Sequence, residues 1–170
     1  MFKINDVVVY GDRGVYEIVK IDRLDFLDSK DKYYILEPVC RDGSTIYVKT
    51  TSNKVSMRNV ISRQKAESYL SELNTLDSLY DKDSRARDKE YQDILKTCEC
   101  GNCLRMLKGI KQEEHRRNAI GKKLNTEDDK NLKKVEKVLL PELSVVFGSS
   151  IEQVKKKLSS LYGEGTGVVL

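Results

Sequence analysis

Three of the four cysteines, Cys98, Cys100 and Cys103, fall within six residues in a Cys-x-Cys-x-x-Cys pattern. Thiolates this close could hold zinc if Cys40 or the single histidine, His115, supplied a fourth ligand. A zinc site generally draws on two spaced ligand pairs, and no second pair stands here, so the thiols are expected reduced and without metal. A redox role is open, because Arg105 and Lys108 nearby could lower a thiol pKa. His115 lies between Glu114 and Arg116 in a polar stretch and reads as an exposed helix residue. There is no Ser/His/Asp order, phosphate-cradling glycine loop or paired-carboxylate setting, so the expectation is no enzyme, no cofactor and no small-molecule substrate.

The second chemistry on offer is positive charge. From Leu104 to Leu124 the chain carries Arg105, Lys108, Lys111, Arg116, Arg117, Lys122 and Lys123 against only Glu113 and Glu114. From Ile61 to Cys100 the signs are mixed, with Asp77, Asp81, Asp83, Asp88 and Asp93 offsetting Arg85, Arg87, Lys89 and Lys96. The total of 31 basic and 27 acidic residues, net +4, is too balanced to announce nucleic-acid binding. A positive face must be assembled in three dimensions, and a charge run by itself reads as a solvated helix face. Tyr10, Tyr16, Tyr33, Tyr34 and Tyr47 could suggest a ligand cage, but tyrosines of a small β-domain read first as core or interface.

Two kinds of element must position these groups. The stretch from Phe2 to Ile21 is two apolar runs around Gly11-Asp12-Arg13-Gly14, with the alternation of a β-hairpin. Lys32–Val39, Ser44–Lys49 and a run from Val55 to Ile61 follow, the first two parted by a Cys40–Gly43 turn. About five short strands rich in Tyr, Val and Ile predict a small SH3-like or Tudor-like β-barrel. Beyond residue 61 the period changes to that of helices. Helices are predicted over 62–74, 84–97 and 102–118, then from a Thr126/Asp129 cap through Leu132, Val135, Leu139 and Leu143, with Pro141 kinking or interrupting it. A last helix is capped by Ser149 with Glu152 and stopped by Gly163. The fold class is therefore α+β, an N-terminal barrel at 1–61 and an all-α bundle at 62–163, with a flexible tail at 164–170. No apolar run approaches the ~20 residues that span a bilayer, and no signal-peptide pattern opens the chain, so a cytoplasmic protein without membrane contact is expected.

Over nearly its whole length the chain resembles the CarD/CdnL family of bacterial transcription regulators. That family opens with a Phe-x-x-Gly-Asp-x-Val-Val-Tyr signature followed by a turn and Gly-Val, in a barrel shared with transcription-repair coupling factors. Here the signature stands as Phe2, Asn5, Asp6, Val8, Val9, Tyr10, Gly14 and Val15, with Asn5 where the family usually has Gly. Tyr34, Leu36, Asp42-Gly43, Ile46-Tyr47-Val48 and Met57-Arg58-Asn59-Val60-Ile61 are similar to the rest of the barrel.

The resemblance implies a monomer that docks on the β subunit of RNA polymerase and contacts promoter DNA without sequence specificity at the upstream edge of the melted region, stabilising the open complex. It places it at the nucleoid through the polymerase. The polymerase contact maps to the fourth strand: Thr45, Ile46, Tyr47, Val48, Lys49 and Thr50, where Tyr47 and Lys49 replace a common arginine and proline. Family members often wedge a tryptophan into the minor groove; the chain has none, the position falls at Ser84, and Tyr80 is an imperfect substitute. The DNA candidates are Ser84, Arg85, Arg87, Lys89, Lys130, Lys133 and Lys134. The missing tryptophan and the balanced charge leave an alternative, a protein-only adaptor whose bundle binds another protein.

Overall fold

The structure, a computed structural model, describes residues 1–24, 30–40 and 43–163. The opening hairpin forms as expected: β1 (Val7–Tyr10) pairs antiparallel with β2 (Val15–Asp22), Val9 opposite Val15, around a 3-10 turn at Gly11–Arg13. Gly14 has φ 119°, a region closed to residues with a Cβ, and its carbonyl accepts the Tyr10 N–H at 2.9 Å. Asn5, standing where glycine is usual, takes a left-handed φ of 70°, a conformation asparagine tolerates better than most.

β3 (Tyr33–Pro38), β4 (Ile46–Lys49) and β5 (Met57–Asn59) complete a five-stranded antiparallel sheet of order β4-β3-β2-β1-β5. This corrects the expected barrel, because the sheet is open. Among the described residues β4 pairs only with β3 and β5 only with β1. The physical reason lies in where β5 is held. Arg58 of β5 forms a two-pronged ion pair with Glu142 (2.6 and 2.8 Å) and donates to the Cys98 carbonyl, so β5 is tied to the helices and not to β4. Glu142 is fully buried and also accepts the Ile61 N–H at 3.0 Å.

The two faces of the sheet follow the period of two. Val8, Tyr10, Tyr16, Ile18, Tyr34, Leu36 and Val48 form one cluster. Val9 and Val15 turn the other way and join the core of the helices. Those helices are α1 (Arg63–Ser71), α2 (Ser84–Thr97), α3 (Cys100–Asn118), α4 (Thr126–Phe147) and α5 (Ile151–Gly163). Their apolar stripes, among them Tyr91 and Leu95, Leu104 and Leu107, Val135 and Leu139, Val154 and Leu158, meet in one cluster. Gly109 allows α3 to approach the chain before α2, since a Cβ there would lie 2.3 Å from the Leu79 carbonyl oxygen.

Three details differ from the sequence reading. α4 is capped by Asn125, whose side chain accepts from the Asp128 N–H, and not by Thr126. α5 is capped one residue later than expected, by a reciprocal pair: Ser150 N–H to Gln153 Oε1 at 2.9 Å and Gln153 N–H to Ser150 Oγ at 3.2 Å. Pro141 does not interrupt α4. Its missing N–H leaves the Lys137 carbonyl without a helical donor, and that carbonyl faces Gly14, where an added Cβ would sit 3.5 Å away. The expected loose tail at 164–170 and the Arg41-Asp42 part of the β3–β4 turn lie outside the described residues.

Candidate functional site

β4 is an outer strand of the sheet, with Ile46 opposite Leu36 and Val48 opposite Tyr34 on β3. Alternation decides what it shows. Val48 is buried in the sheet's own cluster, while Tyr47 is 48% exposed and Lys49 is exposed beside it. Thr45 is exposed and Ile46 and Thr50 are half-buried. Lys49 Nζ lies 2.7 Å from Asp31, a contact that pushes the ammonium pKa up. The predicted docking residues therefore form one contiguous strip at a sheet edge. A strand edge can take up a further strand through its outward backbone groups, and Tyr47 adds an amphipathic ring.

The predicted DNA residues divide. Ser84 is the first residue of α2, exposed, just past the cap Asp83, which accepts from the N–H groups of Arg85 and Ala86. Arg85 and Lys89 are exposed one helical turn apart on one face, with no ion pair among the described residues. Arg87, two residues from each, points to the opposite side. It is 5% exposed, donates to both oxygens of buried Asp128 (3.0 and 3.2 Å) and stacks on the Tyr80 ring at 4.3 Å. The expectation that Arg87 meets phosphate is thereby corrected, since its donors are spent inside the fold. Tyr80 is committed to the same cluster: its hydroxyl donates to Asp128 at 2.7 Å, and burial together with that carboxylate pushes its pKa up to about 12.

On α4, Lys130, Lys133 and Lys134 are all exposed. Lys130 reaches Glu127 at 2.9 Å and Lys133 reaches Asp129 at 2.7 Å, while Lys134 has no ion pair among the described residues. Such exposed pairs exchange readily with solvent and with other anions. The dense basic run near the end of α3 is partly neutralised in place. Arg116 and Arg117 both bind Glu113, holding its carboxyl down at about 2.

The cysteine cluster is structural. Cys98, Cys100 and Cys103 are all at most 1% exposed, and Cys98 Sγ lies 3.0 Å from the Gly11 carbonyl and 2.9 Å from that of Leu95. Cys98 occupies the left-handed cap at the end of α2, so its thiol fastens the β1–β2 turn to the helices. Burial pushes the Cys100 thiol up, and the bond to Cys98 together with burial does the same for Cys103, which disfavours thiolate chemistry at those two, while the bond with Cys103 lowers the Cys98 thiol. Among the described residues no group of three or more His, Cys, Asp or Glu is arranged to hold a metal ion, and His115 is exposed on α3. No helix of the described residues is long and apolar enough to cross a membrane.

Sequence reasoning passed over the cations that share a concave surface. Lys137 lies one turn past Lys133 and Lys134 on α4, and it lines a cleft with Arg13 and with Lys155 of α5. The spacing 130, 133, 134, 137 was the available signal on α4, since it keeps one helical face.

No curated protein matches the chain. Against known families, residues 2–61 match the CarD-like/TRCF RID domain, an interval that begins at the Phe2 signature and closes with β5 and Ile61. The N-terminal part of this chain, residues 2–61, is therefore CarD-like, and this match supports a transcription-associated role.

Proposed function

We propose that the chain is a non-enzymatic transcription regulator that uses β4 to hold the β subunit of RNA polymerase and its helical part, residues 62–163, to touch promoter DNA at the upstream edge of the bubble, stabilising the open complex. The observation that carries the reading is the coincidence of the CarD-like match over residues 2–61 with an exposed outer strand at Thr45–Thr50. On the DNA side the support is narrower: Arg85 and Lys89 on one face of α2, and Lys130, Lys133 and Lys134 on α4, all exposed and able to neutralise phosphates without reading bases. Nothing at Ser84 can wedge a base step, so the grip is on the backbone. The protein acts as a monomer at the polymerase, within the cytoplasm and nucleoid.

The test is the lifetime of a promoter open complex with purified polymerase, with and without the protein. A lengthened lifetime that Tyr47→Ala or Lys49→Glu abolishes, together with capture of the polymerase β lobe, supports the proposal; a lobe that never binds the intact protein sinks it. One observation favours a second reading, a protein-only adaptor. The α2 face with Arg85 and Lys89 also carries exposed Asp88, and two of the α4 lysines already touch carboxylates. If removing Arg85 and Lys89 leaves the lifetime and its salt dependence unchanged while the lobe still binds, the adaptor reading holds.

A further inference from the structure

We propose that the cleft between the Gly11–Gly14 turn and the α4–α5 pair binds a small phosphorylated molecule with an apolar ring, the nucleoside polyphosphates being the class that fits. The cleft measures about 370 Å³, within the range of small-ligand sites. Its floor is apolar and comes from both parts of the molecule: Val15, Tyr16 and Pro38 from the sheet, Leu140 and Pro141 from α4, and Ile151 from α5.

The rim is cationic. Arg13, Lys133, Lys137 and Lys155 converge on it from three separate elements, and all four are exposed. Among the described residues no carboxylate pairs with Arg13, Lys137 or Lys155. Lys133 is shared with Asp129, an exposed contact that an incoming phosphate can displace. Among the described residues the single carboxylate of the lining, Glu136, already faces Lys111 at 3.7 Å. Four like charges around one apolar hollow repel one another, and a compact polyanion relieves that repulsion while its ring covers the floor.

Shape separates this from the DNA contact considered above. A duplex presents a ridge of phosphates with no apolar group to fill a hollow, whereas a nucleotide presents a planar ring and a charged chain on one small body. The proposal does not depend on the polymerase reading. An occupant would touch the CarD-like part through Arg13 and Tyr16 and the helices through Lys137 and Lys155, so it would also brace one against the other.

The full chain offers its own reporter. Cys40 is partly exposed in the lining of the cleft, while Cys98, Cys100 and Cys103 are buried, so a neutral maleimide reads Cys40 first. The experiment titrates ATP, adenosine, tripolyphosphate and a random-sequence DNA duplex, following heat of binding and the rate of Cys40 alkylation. ATP is expected to bind and slow Cys40 alkylation several-fold, about tenfold more tightly than either adenosine or tripolyphosphate. Lys137→Glu with Lys155→Glu should weaken ATP by at least about tenfold, while Lys65→Glu with Lys156→Glu, an equal change of charge outside the cleft lining, should weaken it far less. All four lysines are exposed, and a thermal melt checks that both double variants fold. No heat and no protection at about 5 mM ATP overturns the proposal. Equal loss in the two double variants, tripolyphosphate binding as well as ATP, or better protection by the duplex at matched phosphate overturns it too.

Discussion

β4 and the start of α2 are the two candidate recognition elements of this chain, and they differ in what decides exposure. On β4 the decision is local. The strand lies at the sheet edge and side chains alternate, so Val48 goes in and Tyr47 and Lys49 stay out. On α2 the decision comes from a distance. Arg85, Arg87 and Lys89 look alike in sequence, yet Asp128, forty-one residues from Arg87, draws that arginine into the core and leaves the other two on the surface. Two-residue steps keep one face on a strand and reverse it on a helix, which is why the same spacing makes a surface in one region and divides one in the other.

The largest effect is expected away from both, where β5 joins the sheet to the helices. Removing the carboxylate with Glu142→Ala leaves Arg58 half-buried and unpaired and should cost about 3–5 kcal/mol in urea unfolding, whereas Arg58→Met with Glu142→Leu should recover much of it. If Glu142→Ala unfolds within about 1 kcal/mol of the parent, β5 is held by something other than this pair, and the explanation of the open sheet fails with it.

The next test separates the buried arginine from its exposed neighbours. Arg87→Ala should cost about 3 kcal/mol, because Asp128 is then stranded in the core, while Arg85→Ala with Lys89→Ala should stay within about 0.5 kcal/mol of the parent. Binding to promoter DNA should respond in the opposite order: losing Arg85 and Lys89 lowers the salt dependence by nearly two phosphate equivalents, and losing Arg87 lowers it only as far as the protein unfolds. An Arg87 variant that folds normally and loses DNA affinity would return Arg87 to the surface.

Much of this arrangement was legible in the residues because it is local. The hairpin follows from alternation around two glycines, and the helices follow from apolar periods between capping residues. What escaped reading needed long-range information. Asn125 and Thr126 are both competent caps, as are Ser149 and Ser150; Asn125 prevails where its amide also donates to Asp128, which already holds Arg87 and Tyr80. Pro141 suggested a break because its effect on the Lys137 carbonyl is local, but the space that Gly14 leaves against that carbonyl comes from 123 positions upstream. The barrel was expected because five short strands suit closure, while the tie from Arg58 to Glu142 spans 84 residues and no strand pattern announces it. For the candidate site, the β4 strip could be read directly. The split within α2 was readable only by applying helical spacing to the charges as well as to the apolar stripe.

A smaller effect is expected at the basic end of α3, where Glu113 ties down Arg116 and Arg117. Its pKa lies at about 2, below the usual carboxylate value of 4.5, chiefly through the bond from Arg116. A group depressed on folding adds stability that is fully present above its unfolded pKa and is lost as pH falls through the folded one. Thermal midpoints should therefore drop between about pH 4.5 and pH 2, and Glu113→Gln should lower the neutral-pH midpoint by about 2–4 °C and flatten that acid drop. An unchanged acid profile would mean that the two arginines leave Glu113 in solution.

The smallest effect on stability should come from β4, and that is its diagnostic value. Tyr47 is half exposed on an outer strand, so Tyr47→Ala removes little buried surface and should move the unfolding midpoint by less than about 2 °C. Lys49→Glu replaces an attraction to Asp31 by a repulsion on the surface, again with little consequence for folding. If the strand is a docking edge, the same two changes should weaken capture of the polymerase β lobe by at least about tenfold, one through loss of an aromatic contact and the other through charge. A large effect on binding with almost none on stability is the reverse of what Arg87 should show, and it is the pattern that distinguishes a surface kept for a partner from one kept for the fold. If both variants bind the lobe like the parent, β4 is an ordinary sheet edge and the contact must be sought elsewhere on residues 2–61.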